Sequence, residues 1–346
     1  MNLYTSEGWI NPAVLIDSPA FITVGIGGRG IGKTYGCLRT LYERGQNFIY
    51  VRRTQTQLDE TTIQALNPYN KISEDIQQPI ITARLGKHSV GFYRAKHDGD
   101  KLLPDGEPFS VGVALSTFAS IRGLSLPESF DVVLFDEIIP ERHERTVIRE
   151  EGAAFLNMIE SLNRNREIKG LDPMRFILLS NSNTINSEIL YSIGILKDVD
   201  EMSRSGAKVK TLQDGLIRVV MFRDSPISEE KRNTALYKIA NNVDFSRMSL
   251  ENDFARADYE QVTNRPLKEY NMIVSIGNIT ICRHKAKREF YVIEGIKATE
   301  RYDTTPISVA TFKSKYAYIL IAFLKSRVVF QSASAKIEFE RIVYNG

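Results

Sequence analysis

The sequence predicts an α/β protein, with a parallel sheet and crossover helices in its first half and a second, smaller α/β domain behind it. Three observations carry this. Short apolar runs alternate with helix-length stretches over the first half. One such run, Phe21–Val24, empties into a cluster of glycines. Another, DVVLFDEI at 131–138, is unbroken and closes on two acids, the pattern of a strand buried on both faces.

The bulk composition fits that class. The chain has 346 residues, 42% hydrophobic and 25% charged, enough for two medium cores. A formal charge of +3 gives no argument for a polyanionic partner. Cys37 and Cys282 lie far apart in sequence, so reduced thiols are expected rather than a disulfide framework. The N-terminus shows no basic region followed by an apolar one. The most apolar run, Tyr316–Phe323, is too short to span a membrane. A soluble cytoplasmic protein without membrane contact is the expectation.

Taken in order, Phe21–Val24 reads as a strand, Thr34 to Arg44 as a helix stopped by Gly45, and Phe48–Arg52 as a second strand. Thr54 to about Asp75 is polar and partly helical, and ITARLGKHSVGFYR is a hairpin around Gly86. Asp98–Pro108 is turn-rich, and Val111–Leu115 is another strand. Phe155, Met158, Ile159 and Leu162 place Glu150–Asn163 on an amphipathic helix, and Arg175–Leu179 is a strand ending in SNSN. Residues 201–270 are polar, with one strand-bearing patch at KVKTLQDGLIRVVMF. From Met272 the runs MIVSIG, ITICRHK, EFYVIE, ISVATF, YAYILIAFLK and VVF all read as strands. The expected division is 1–200, a linker at 201–215, and 216–346.

Gly27-Gly28-Arg29-Gly30-Ile31-Gly32-Lys33-Thr34 satisfies the G-x-x-x-x-G-K-[ST] pattern between a strand and a helix. Successive N–H groups must converge on phosphate oxygens, which needs backbone that glycine permits, and the helix start adds positive potential. Lys33 is expected to reach the β/γ-phosphates and Thr34 to hold Mg²⁺. Asp136 and Glu137, at the end of the buried strand, take the Walker B roles: Asp136 assists Mg²⁺ and Glu137 polarises the attacking water. ATP hydrolysis with Mg²⁺ follows as the expected chemistry. Ser180 and Asn181 either hydrogen-bond the γ-phosphate or the water, or form a polar turn. Arg164 and Arg166 either satisfy a helix C-terminus or supply a neighbouring subunit's site.

Taken together and in order, GGRGIGKTY, FIYVRR, VVLFDE, LNRNRE and ILLSNSN resemble the DNA-packaging (encapsidation) ATPases of small tailed phages of the phi-twenty-nine type, relatives of the large terminase subunit. The likeness spans roughly residues 20–185. It implies an additional-strand, RecA/ASCE-like P-loop NTPase domain followed by an RNase H-like domain. It further implies a homomeric ring, usually pentameric, on the portal of an empty procapsid in the host cytoplasm, absent from the mature virion. That ring drives double-stranded DNA inward, in some relatives with a structural packaging RNA. Arg164 best matches the family's trans-acting arginine, with Arg166 beside it, and Arg29 suits the family's basic P-loops.

Larger terminases carry a two-metal nuclease in the second domain, which needs clustered carboxylates, one of them on its first strand. Here the candidate first strand, Met272–Asn278, has no acid, so a vestigial, non-cutting domain is expected. Arg283, Lys285, Lys287 and Arg288 crowd one stretch that either neutralises phosphates without reading bases or is a solvated hairpin turn. Lys87 and Lys101, on polar loops, are further candidates for DNA contact. Three rival readings are a helicase or recombinase-like ATPase, a nucleotide-binding switch and a nuclease-active terminase. Procapsid dependence, turnover and metal-dependent cleavage respectively separate them from a packaging motor.

Overall fold

The computed structural model describes residues 2–123, 126–140, 148, 150–240, 246, 250, 254 and 261–345. The chain divides into two compact units, one of residues 1–183 with 202–253, the other of 184–201 with 254–346.

In the first unit, β1 (Ile22–Gly27), β2 (Phe48–Arg52), β3 (Ile80–Gly86), β4 (Ser89–Asp98), β5 (Lys101–Pro104), β6 (Ser110–Ala114), β7 (Val132–Phe135), β8 (Arg175–Asn181), β9 (Val209–Leu212) and β10 (Ile217–Phe222) form one sheet. Its order is β3-β4-β6-β2-β7-β8-β1-β10-β9, with β5 paired to β4. From β6 through β10 the neighbours run parallel. The additional strand, β8, stands between the strand that feeds the glycine loop and the strand that ends at the acids. β1 and β7 are buried along their whole length, as parallel strands covered on both faces must be. The helix Lys33–Glu43 buries Cys37, Leu38 and Leu41 completely. The helix Glu151–Asn163 buries Phe155 and Met158, with Phe155 at 6.0 Å from Phe135, while Ile159 and Leu162 are half-buried.

The boundary expected at 201–215 is corrected. Val209–Phe222 folds back as a β9–β10 pair, and β10 lies parallel to β1 from Ile22↔Ile217 to Gly27↔Phe222. Without IRVVMF, β1 would present an unpaired edge, so this apolar run completes the first sheet rather than opening the second domain. Thr184–Glu201, in turn, belongs to the second unit.

That unit holds β11 (Tyr270–Ile276), β12 (Ile279–His284), β13 (Phe290–Glu294), β14 (Arg301–Tyr302) and β15 (Val328–Phe330), ordered β14-β11-β12-β13-β15. β11, β12 and β13 form an antiparallel meander, and the two edge strands run parallel to their neighbours. ISVATF and AYILIAF are helical rather than extended, within Pro306–Lys315 and Ala317–Leu324 with Tyr316 between them, and IEFE lies in the helix Ala333–Asn345. Pro306 at the first helical position starts this run. A short run apolar on every side has the same pattern as a buried strand, which is why periodicity misassigns it. Phe312, Ile319, Phe330 and Phe339 make the core between helices and sheet. The helix Glu188–Ser192 docks on the last helix through the Arg341–Glu188 ion pair, and Tyr191 hydroxyl donates to Glu338 at 3.1 Å. Cys37 and Cys282 are free and buried. Among the described residues no single helix is long and apolar enough to cross a membrane.

Candidate active site

The glycine loop runs from the end of β1 into the helix Lys33–Glu43. Gly30 and Gly32 have φ of +62° and +89°, the left-handed region that a side chain rarely enters. At Gly27 the limit is space: a Cβ would stand 2.7 Å from Ile31 Cδ1 and 2.9 Å from Phe222 Cβ. Lys33 is buried beneath the loop, and its Nζ donates to the carbonyls of Gly27 at 2.8 Å and Gly28 at 2.6 Å and to Asn181 Oδ1 at 2.9 Å. Burial pushes the Lys33 ammonium down to about 7, Asp136 opposes that, and Lys231 reinforces it. An anion in the loop would restore the charge.

Thr34 and the acids meet across the sheet. Thr34 Oγ1 stands 3.0 Å from both oxygens of Asp136. The backbone explains how β7 delivers its two acids differently. Asp136 N–H still bonds to Val51 O in β2, while Ile138 N–H bonds to Leu179 O in β8. Between them Glu137 adopts φ +59° and turns its side chain toward solvent, with 41% of it exposed against 6% for Asp136. A left-handed glutamate costs on the order of 1 kcal/mol, held here by the two flanking strand bonds.

Arg52, the last residue of β2, holds both acids: Nη1 is 3.0 Å from Asp136 Oδ2 and Nη2 is 2.8 Å from Glu137 Oε2. Tyr50 hydroxyl donates to Asp136 Oδ2 at 3.2 Å, and burial, then Asp136, raises its pKa. Next to Arg52, Arg53 makes a buried pair with Glu151 at 2.6 Å. These residues were not singled out from sequence. Arginine after FIYV carries no signal until β2 is known to lie beside β7. Nor was Lys231, whose Nζ donates to the carbonyls of Arg29 and Gly30 at 2.6 Å each, 202 residues from Arg29 along the chain.

Arg29, Gly30, Gly32, Lys33, Thr34, Asp136, Glu137, Ser180 and Asn181 thus line one cavity, together with Tyr35. Gly27 and Asn181 are cross-strand partners at its floor, and Ser180 is buried with its hydroxyl on Asn181 O at 2.9 Å. Arg164 is not brought there. It caps the far end of the helix Glu151–Asn163, about 20 Å long. Its Nη2 donates to Arg122 O at 2.7 Å and its Nε to Ser161 O at 3.1 Å. Arg166 donates to Glu128 O at 3.2 Å, just ahead of β7. Arg164, Arg166 and Lys169 line a second cavity with Phe130 and Met174, at the opening ends of β7 and β8.

The other cations sit elsewhere. Lys87 is exposed at the β3–β4 turn and Lys101 is exposed at the start of β5. Arg283, Lys285, Lys287 and Arg288 are all exposed about the β12–β13 turn, which His284 Nδ1 closes by accepting from Ala286 and Lys287 N–H at 3.0 Å each.

Residues 6–297 match the family described as Podovirus DNA encapsidation protein (Gp16). The chain belongs to that family. The match runs well past residue 185, where the sequence motifs end, and takes in β9, β10 and the meander. Among curated relatives, the chain is 24% identical over 270 residues to the DNA packaging protein of Bacillus phage phi29, covering 77% of this chain and 71% of that one. It is 26% identical over 255 residues to the DNA packaging protein of Bacillus phage B103, covering 72% and 69%. Its fold is that of a chain in the bacteriophage Phi-29 viral genome packaging motor assembly, with a TM-score of 0.65 at 20% identity over 99% of this chain and 98% of that one. The Phi-28 gp11 DNA packaging motor gives a TM-score of 0.64 at 18% identity over 98% of both chains.

Proposed function

We propose that this encapsidation-family protein hydrolyses ATP and uses it to drive double-stranded DNA into an empty procapsid. One observation carries the reading: Lys33, Thr34, Asp136 and Glu137 converge at the ends of β1 and β7, with Asn181 from the strand between them. Phosphates fit the loop, where a buried ammonium is held mainly by carbonyls. Mg²⁺ fits Thr34 and Asp136, whose hard oxygen donors stand side by side. When bound, Mg²⁺ neutralises charge on the phosphate oxygens.

The remaining roles belong to side chains. Lys33 draws charge off the γ-phosphate, and the loop N–H groups orient the chain of phosphates. Glu137, turned out of the strand and tethered by Arg52, polarises the attacking water. Asn181 links Lys33 to the end of β8. Arg164 lines a cavity other than the one about its own loop, which supports action on a neighbouring subunit in a homomeric, pentameric ring docked on the portal, with a structural packaging RNA as a further partner. The work is placed in the host cytoplasm, on the procapsid. DNA cleavage is not part of the proposal, because β11 (Tyr270–Ile276) carries no acid. The exposed cations of the β12–β13 turn suit phosphate contact without base reading.

The test is ATP-dependent packaging into empty procapsids. Glu137→Gln is expected to lower ATP turnover by at least about a hundredfold while ATP still binds. Full packaging by that variant would end the assignment. Mixing Arg164→Ala with Lys33→Ala subunits is expected to recover hydrolysis, because a mixed ring contains interfaces with both groups intact.

A further inference from the structure

Lys231 is not part of the loop motif, yet it touches the loop more closely than any of the exposed cations. It lies in the helix Pro226–Arg232, and its ammonium is shared between two consecutive carbonyls, Arg29 O and Gly30 O, at 2.6 Å each. Among the described residues it forms no ion pair, and burial lowers its pKa. A half-buried ammonium held by carbonyls alone is not a cheap surface contact. Gly30 also makes room for it: a Cβ at that position would stand 2.6 Å from Lys231 Nζ.

The geometry of the peptide bond gives this contact a consequence. In a planar trans peptide the C=O of one residue points opposite to the N–H of the next. Fixing the carbonyls of Arg29 and Gly30 toward Lys231 therefore fixes the N–H groups of Gly30 and Ile31 the other way. Those N–H groups belong to the stretch that cradles phosphate in a loop of this pattern. A cation on the carbonyl also polarises the amide, which strengthens the hydrogen bond its N–H donates.

We infer that Lys231 is a positioning residue for the phosphate loop: from outside the loop it sets two peptide groups to face the β-phosphate of a nucleotide, and it ties the loop to the helix Pro226–Arg232. This rests on the nucleotide reading above and adds to it a residue that never needs to touch the nucleotide. Its effect falls on ground-state binding of any nucleotide with a β-phosphate, and far less on the chemical step.

Trp9 supplies the readout. It is the sole tryptophan, and its ring lies 3.4 Å from where a Gly32 Cβ would be. The full chain is titrated with Mg-ADP and with Mg-ATPγS while Trp9 fluorescence is followed, for wild type, Lys231→Met, Lys231→Arg and Lys33→Ala. Lys231→Met is expected to raise Kd for both nucleotides about tenfold, the worth of one lost charge-assisted hydrogen bond. KM for ATP should rise with Kd while kcat changes far less, and Lys231→Arg should recover most of the affinity. A wild-type Kd in Lys231→Met, or a fall in kcat at unchanged Kd, overturns the inference while leaving the nucleotide site standing. If wild type and Lys33→Ala alike bind neither nucleotide, the nucleotide reading itself has failed. A melting curve is run on each variant, and Lys231→Gln replaces Lys231→Met if the latter does not fold.

Discussion

Three acids of the first unit gather about two adjacent arginines, whereas acids of the second unit stand apart. Asp136 and Glu137 share Arg52, and Glu151 pairs with the adjacent Arg53. In the second unit Glu294 is tied to Ser332, Glu338 to the Asn278 N–H, Glu300 to Lys315 and Glu289 to Tyr270, each apart from the others. The difference follows from strand direction. Parallel strands all finish at one edge, so side chains following β2, β7 and β8 collect in one crevice. A meander sends alternate strand ends to opposite edges, and its polar residues scatter. Concentrated chemistry in one unit and a distributed surface in the other are built into the topology before any particular residue is chosen.

Three substitutions probe that contrast. Arg53 and Glu151 are both nearly inaccessible, with side chains 3% and 7% exposed. Arg53→Met leaves a buried carboxylate without its guanidinium and should cost about 3–5 kcal/mol in urea melts, with much of it recovered in Arg53→Met/Glu151→Leu. A single variant as stable as wild type would mean that the gathered charges are structurally idle. Arg52→Leu should cost less, about 2 kcal/mol, since Glu137 can turn to water. Here the loss should shrink in Mg-ATP, because bound cation replaces the guanidinium beside Asp136. A loss that nucleotide leaves unchanged would remove Arg52 from the site's electrostatics.

The smallest effect is expected in the dispersed unit. Hydrogen bonds from Lys315, then from Tyr302 and Tyr316, hold the Glu300 carboxyl down to about 2 from its ordinary 4.5. A carboxylate lowered on folding stabilises above its ordinary range and loses that contribution as pH falls toward the folded value. Glu300→Gln should therefore lower the melting temperature slightly at pH 7, and the gap should close between about pH 4.5 and 2. An equal gap across that range would show that packing, not charge, is at work there.

The glycine loop, the two acids that follow β7, the helix that buries Phe155 and the polar end of β8 were all legible in the sequence. Each is a local pattern: glycine spacing, an apolar run, a helical period. Arg52 and Lys231 were not legible, because their meaning comes from sheet order and from a contact spanning two hundred positions. The same limit explains the misplaced boundary. IRVVMF is as good a strand for one sheet as for the other, and only pairing with β1 decides. The helices after Thr305 were missed for a related reason: when every side of a short segment is apolar, periodicity has nothing to measure.

The division of the chain at 183/184, 201/202 and 253/254 has a consequence for handling the protein. Neither unit is a single length of polypeptide, so no one cut separates them cleanly. A fragment ending at residue 183 would keep every residue of the nucleotide motifs and still lose β10, baring the edge of the very strand that presents the loop. It would also lose Lys231. Such a fragment is expected to aggregate, whereas one that bridges residue 183 to 202 with a short flexible linker and ends near 253 keeps the sheet whole. The smallest self-contained piece of the first unit is therefore a spliced chain, not a truncated one.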